Sequence, residues 1–75
     1  MFKPEALTYY RKLRGLTQAA LALKIARDYE DPVDAQQISD YERSQHVPGS
    51  SRLRNLARAL EISTDQLFEL PPVIS

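Results

Sequence analysis

Two segments decide the fold of this 75-residue chain: Thr17-Gln18-Ala19-Ala20-Leu21-Ala22 and Gln37-Ile38-Ser39-Asp40-Tyr41-Glu42-Arg43. In the first, a threonine that can cap a helix precedes a run of small and apolar residues. In the second, Ile38 and Tyr41 lie at helical spacing, so one face can pack while amide, hydroxyl and charged side chains face outward. Proteins present side chains to a DNA groove with this layout, a scaffold helix followed by a second helix. Sequence-reading DNA binding is therefore the first hypothesis.

Caps and breakers divide the whole chain into short helices. The predicted helices cover residues 4–14, Thr17 to about residue 26, about residues 34–43, Ser50 or Ser51 to Leu60, and Ser63 to the prolines at 71–72. Their expected inward side chains are Leu7, Tyr10 and Leu13; Ala20, Leu21 and Ile25; Ile38 and Tyr41; Leu53, Leu56, Ala57 and Leu60; and Leu67, Phe68 and Leu70. No segment shows the period-two pattern of a strand. The prediction is an all-α fold of five helices, with residues 1–70 as one domain and residues 71–75 as a C-terminal tail.

Composition excludes several classes of function. The chain has no cysteine and one histidine, which argues against disulfides, thiolate catalysis and a metal site, and no cofactor is expected. Ser39, Asp40 and His46 have the residue types of a nucleophilic triad, but no pattern brings them together, so an enzyme is not expected. No apolar run approaches the ~18 residues that span a bilayer, and no secretory signal is present. A cytoplasmic protein is predicted.

The net charge of zero hides blocks of alternating sign. Residues 1–27 carry a net charge of +5, residues 28–42 carry −6, residues 43–58 carry +4 and the last 17 residues carry −3. Affinity for a phosphate backbone depends on where charge lies as well as on its sum. A neutral total therefore does not exclude nucleic acid.

Six ordered blocks resemble the Cro/Xre helix-turn-helix domain of phage repressors and small bacterial regulators. The blocks are Arg11 to Leu16, Thr17-Gln18 with Leu21-Ala22, Ile38-Ser39 with Tyr41-Glu42-Arg43, Pro48, Leu53 with Leu56 to Leu60, and Ile62-Ser63 with Asp65 to Phe68. The resemblance covers about residues 4 to 69 and implies a compact lambda-repressor-like DNA-binding domain. It implies that residues 34–43 form a recognition helix in the major groove.

The resemblance also implies roles for individual residues. The base-reading positions are Ala35, Gln36, Gln37, Ser39 and Asp40, where glutamine can bond bidentately to adenine. The phosphate-contacting positions are Thr17, Gln18, Arg43, Gln45 and His46. Arg11 and Glu42 match an ion pair that ties helix 1 to helix 3 in the family. Without the family context, a solvated helix face is the simpler interpretation of Gln36 and Gln37.

The chain departs from the family between helices 2 and 3. Thr17 and Ile38 are 21 positions apart, whereas the tight-turn version of the motif needs roughly fifteen. The extra residues fall in 27–33, and Ala26 stands where the family has a turn glycine. Either helix 2 is about a turn longer, or the connection becomes a loop held by Pro32 with Tyr29 packed back onto the domain.

The expanded turn is acidic, and this leaves two functions open. Asp28, Glu30 and Asp31 would be repelled by phosphates if they faced DNA, but they could project away, pair with Lys24 or Arg27, or meet a protein partner. The main prediction is a homodimeric transcriptional regulator that binds double-stranded DNA. The alternative is an antitoxin-like or regulatory protein-interaction module that uses the acidic insertion 28–34. The apolar tail 70–75 is either frayed or docks Val73 and Ile74 on another subunit.

Overall fold

Four α-helices and one short 3-10 helix form residues 1–72 of the protein. The computed structural model describes residues 1–72, and no β-strand occurs within them. The helices are α1 (Pro4–Leu13), α2 (Gln18–Asp28), α3 (Ala35–Glu42) and α4 (Ser50–Leu60), followed by the 3-10 helix Thr64–Phe68. The all-α class is confirmed. The prediction of a fifth α-helix is wrong, because its five residues lie between the Ser63 cap and the prolines that end the segment, which leaves space for a tighter single turn only.

Side-chain caps begin three of these elements as their sequences predict. The Thr17 Oγ1 accepts a hydrogen bond from the Ala20 amide at 3.0 Å at the start of α2. Capping boxes formed by Asp34 with Gln37 and by Ser63 with Gln66 begin α3 and the 3-10 helix. The prediction that Ser50 or Ser51 caps α4 is wrong. Gly49 occupies the N-cap with extended backbone, and both serines lie inside the first turn.

The core lies where all five elements meet. It consists of Phe2, Ala6, Leu7, Leu21, Ala22, Ile25, Val33, Ile38, Tyr41, Leu56, Ala57, Ala59, Leu60 and Leu67. Helix α2 occupies the centre, since it packs against both α3 and α4, while α1 and the 3-10 helix close the remaining side. Within residues 1–72 no helix combines the length and the apolar character needed to cross a membrane.

Three leucine and phenylalanine positions predicted to be inside are exposed. Leu13 is 59% exposed, Phe68 38% and Leu70 65%. A spacing of three residues drifts about 60° around a helix at each step, so the buried face of α1 passes from Leu7 to Arg11 and leaves Leu13 outside. In the 3-10 helix Leu67 fills the inward position, and its neighbour Phe68 projects away.

The expanded turn is a six-residue loop, residues 29–34, after a slightly lengthened α2. Helix α2 ends at Asp28, two residues beyond the predicted end. Glu30 then adopts a left-handed conformation with φ of 51°. Val33 is buried and Tyr29 packs against the core, as predicted for the tyrosine. Pro32 is exposed, so it restricts the loop backbone without packing in the core.

Candidate nucleic-acid interface

Helix α3 presents its polar face outward because its apolar face is fixed in the core. Ile38 is fully buried and Tyr41 is 8% exposed. The side chains predicted to read bases lie on the remaining surface: Gln36 and Gln37 are exposed, and Ala35, Ser39 and Asp40 are half-buried. The helical period thus places these five residues on one accessible side of α3.

Asp40 organises the outward face of α3. Its Oδ1 accepts hydrogen bonds from Gln36 Nε2 at 2.9 Å and from Arg43 Nη2 at 3.1 Å. His46 Nε2 lies 3.9 Å from the second carboxylate oxygen. The backbone carbonyl of Asp40 also accepts from the amides of Gln45 and His46, which folds the segment after α3 back onto the helix. A predicted base-reading residue therefore binds the side chains of Gln36 and Arg43 and lies near that of His46, all three of which are predicted to contact DNA.

The two glutamines differ in what they already bind. Gln37 Oε1 accepts from the Asp34 amide at 3.1 Å, while Asp34 Oδ1 accepts from the Gln37 amide at 2.9 Å. The carbonyl oxygen of Gln37 is thus engaged in the cap of its own helix. The carbonyl oxygen of Gln36 has no such role, since Gln36 binds Asp40 through its side-chain N–H, which donates a hydrogen bond. Of the two, Gln36 is better placed to form a bidentate contact with adenine.

Gln18 and Thr17 lie at the start of α2, where backbone amides without helical partners can receive an anion. The hydroxyl oxygen of Thr17 accepts a hydrogen bond from the Ala20 amide. The side-chain amide of Gln18 donates a hydrogen bond to Glu42 Oε1 at 3.1 Å. An amide nitrogen carries two hydrogens, so Gln18 can bridge Glu42 and a phosphate.

Arg11 and Glu42 join α1 to the end of α3. Arg11 Nε lies 2.6 Å from Glu42 Oε2 and Nη2 lies 3.0 Å from Oε1, a bidentate geometry. Arg11 Nη1 also donates to the Leu16 carbonyl at 2.8 Å. Burial acts to raise the pKa of Glu42, but the hydrogen bonds from Arg11 and Gln18 outweigh it and hold the pKa below its ordinary value. The resulting network fixes the first three helices relative to one another.

Asp31, in the expanded turn, is bound to α4. Its carboxylate accepts two hydrogen bonds from Arg52, at 2.6 and 2.9 Å, and a third from Asn55 at 3.0 Å. Of the alternatives open for the insertion, pairing with Lys24 or Arg27 does not apply to Asp31, whose partners are Arg52 and Asn55. Sequence reasoning missed the pair because 21 positions separate its members; only the complementary charge of a basic helix 4 pointed toward it. Hydrogen bonds from Arg52, acting against burial, lower the pKa of Asp31.

The remaining acidic side chains of the insertion stay at the surface. Asp28 and Glu30 are exposed, whereas the carboxylate of Asp34 caps α3. Tyr29 lies under the guanidinium of Arg58, which is 5.9 Å from the ring centroid. Two arginines of α4, Arg52 and Arg58, thus contact the expanded turn.

Comparison with known proteins identifies the family. A family model described as helix-turn-helix matches residues 7–67, a range that includes Arg11, Gln18, Glu42 and all of α2, α3 and α4. Searches of curated proteins and of solved structures each gave no match. The matched range covers most of the chain and contains the helix pair, the cap and the ion pair described above. The chain therefore belongs to the helix-turn-helix family of the Cro/C1 type.

Proposed function

We propose that this protein is a cytoplasmic, sequence-specific transcriptional regulator that binds double-stranded DNA with α3 in the major groove. The observation that carries the proposal is the outward face of α3, where exposed Gln36 and Arg43 converge on Asp40 while Ile38 anchors the opposite side. Amide, carboxylate and guanidinium groups together cover the donors and acceptors of base-pair edges in that groove.

Phosphate contacts flank this reading surface in the proposal. Thr17 and Gln18 at the start of α2 contact one backbone segment, and Arg43, Gln45 and His46 after α3 contact another. The side chains of Arg43, Gln45 and His46 are exposed and therefore accessible to a phosphate. Such contacts position the helix and carry no sequence information themselves.

The test is selection of bound duplexes from a randomised pool, followed by fluorescence anisotropy of the selected duplex. We expect one preferred sequence and an affinity that falls steeply with salt, because binding releases counterions from phosphates. Gln36→Ala is expected to relax the preference at one base pair by about 1–3 kcal/mol. Gln37→Ala is expected to have a smaller effect on that preference, since its carbonyl serves the cap. A selected sequence unchanged by both substitutions would refute the base-reading assignment.

A homodimer on two half-sites about one helical turn apart completes the proposal. Phe68 and Leu70 support it, because both are apolar and exposed near the end of the described chain. The predicted docking residues Val73 and Ile74 lie outside the described residues. A chain ending at residue 69 should sediment as a monomer where the full chain sediments as a dimer. Equal sedimentation of the two chains would argue against this interface.

A protein-interaction module is the second candidate, and the exposure of Asp28 and Glu30 favours it. The pairing of Asp31 with Arg52 weakens it, because the most enclosed carboxylate of the insertion is already occupied. The salt titration separates the two functions. An interaction module would show neither a steep loss of DNA affinity with salt nor a preferred duplex.

A further inference from the structure

Arg52 contacts both the expanded turn and α3 from the first turn of α4. Its Nε and Nη2 bind the carboxylate of Asp31, and its Nη1 donates to the Tyr41 hydroxyl at 2.9 Å. Asn55, one turn later on the same side of α4, adds a third bond to Asp31. One guanidinium therefore joins three separate parts of the chain.

The bridge is enclosed and its charges are matched. The side chains of Arg52 and Asp31 are each 18% exposed. The ring of Tyr41 lies in the core, and its hydroxyl reaches Arg52 at the edge. Bidentate, charge-assisted hydrogen bonds of this kind are directional as well as strong, so they fix orientation.

The position of the bridge compensates for the longer turn. A tight turn fixes the angle between α2 and α3 by its own geometry, but a six-residue loop has more backbone freedom. Helix α3 packs chiefly against α2 and α1, and α4 packs chiefly against α2 and the 3-10 helix. Arg52 supplies the polar connection that ties α3 and the loop to α4.

We infer that Arg52, through Asp31 and Tyr41, is a positioning residue that sets the angle of α3 for groove reading. This inference rests on the proposed DNA-binding function. A helix held at one angle presents its reading side chains together, whereas a loosened helix still contacts phosphates but discriminates less between sequences. The acidic residue of the turn thus favours specific DNA binding despite its charge.

Asp31→Asn tests the inference because simple electrostatics and positioning predict opposite signs. Removal of one negative charge should strengthen binding to any duplex if charge alone acts. Under the positioning inference, affinity for the selected duplex falls about tenfold, as expected for loss of one charge-assisted hydrogen bond, while affinity for a scrambled duplex does not fall. Both are measured by anisotropy at a temperature where circular dichroism shows the variant folded.

Asp28→Asn is the matched control, since it removes the same charge from an exposed carboxylate that binds no side chain within residues 1–72. It should bind both duplexes at least as tightly as the wild type. Tyr41→Phe is the second variant, and it removes only the hydroxyl that Arg52 reaches. Its ratio of selected to scrambled affinity should fall about threefold, even if Asp31→Asn unfolds.

The outcomes separate the two proposals. A fall in the affinity ratio for Asp31→Asn or Tyr41→Phe, with Asp28→Asn unchanged, supports positioning by Arg52. If folded Asp31→Asn and Tyr41→Phe keep the wild-type ratio, the positioning inference is overturned while DNA reading stands. If the wild-type protein selects no duplex, the proposed function fails, and the inference fails with it.

Discussion

The side chain of Glu42 connects three helices. Its carboxylate accepts two hydrogen bonds from Arg11 of α1 and one from Gln18 of α2, and the residue itself ends α3. The side chain of Glu42 is 7% exposed and that of Arg11 is 11% exposed. Loss of one partner leaves the other charge enclosed and poorly compensated.

Glu42→Ala should lower the free energy of unfolding by about 3 kcal/mol, because Arg11 keeps only its bond to the Leu16 carbonyl. In a domain of this size that corresponds to a fall in Tm of more than about 10 °C, measured by circular dichroism. Glu69→Ala, at an exposed position, is the control and should melt like the wild type.

The same substitution should leave the preferred DNA sequence unchanged under conditions where the variant is folded, since Glu42 does not lie on the outward face of α3. A melt equal to that of the wild type, or a changed sequence preference with a normal melt, would contradict a structural role for the Arg11 and Glu42 pair.

At the scale of elements, α3 depends on its cap because it has only eight residues. The Asp34 and Gln37 box satisfies amides that otherwise lack partners at the start of the helix. The N-cap itself lies at the surface, since Asp34 is exposed. The cap therefore decides where the reading helix begins.

Asp34→Ala should lower the free energy of unfolding by about 1 kcal/mol and speed amide hydrogen exchange in the first turn of α3. Asp34→Asn keeps an N-cap acceptor and should restore most of the stability, although the negative charge is lost. If Asn and Ala are equally destabilising, the charge of Asp34, and not its hydrogen bond, supports the helix.

The sequence predicts best those features of the elements that depend on neighbouring residues. Thr17, the Asp34 and Gln37 pair and the Ser63 and Gln66 pair act within four residues, so their caps can be read directly. The length of the expanded turn is equally visible in the spacing. Its conformation is not, because the Asp31 and Arg52 pair and the burial of Val33 depend on packing between distant segments.

In the candidate site, too, some features follow from the sequence and others depend on packing. The outward position of Gln36 and Asp40 follows from helical period once Ile38 and Tyr41 are taken as inward. The bonds that Asp40 forms with Gln36 and Arg43 depend on side-chain conformations that no spacing fixes. The exposure of Leu13 also follows from the helical period, because successive three-residue steps from Leu7 carry position 13 away from the buried face of α1.

Across the whole molecule, a net charge of zero is distributed so that two enclosed carboxylates each meet an arginine. Asp31 binds Arg52 and Glu42 binds Arg11, which links the acidic block 28–42 to the basic blocks on both sides. The first pair connects α1 with α3, and the second connects the turn with α4. The alternation of charge along the sequence therefore serves tertiary structure as well as any DNA surface.

These pairs make the stability of the whole domain sensitive to acid. Hydrogen bonds from Arg52 lower the pKa of Asp31 below its ordinary 3.8, and for Glu42 the bonds from Arg11 and Gln18 outweigh burial and lower the pKa below 4.5. A carboxylate with a lowered pKa in the folded state stabilises the fold above its unfolded pKa and loses that contribution as pH falls through the folded value.

We therefore expect the free energy of unfolding, measured with urea, to be nearly constant with respect to these two groups above about pH 5.5 and to decrease below about pH 4.5. In the double variant Asp31→Asn/Glu42→Gln this decrease should be shallower, because the unfolded chain no longer takes up protons at those positions before the folded chain does. The double variant should also be less stable at pH 7, so the two curves should converge toward acid. Parallel curves would show that other carboxylates control the loss of stability in acid. The two arginine pairs would then stabilise the fold equally whether Asp31 and Glu42 are ionised or protonated.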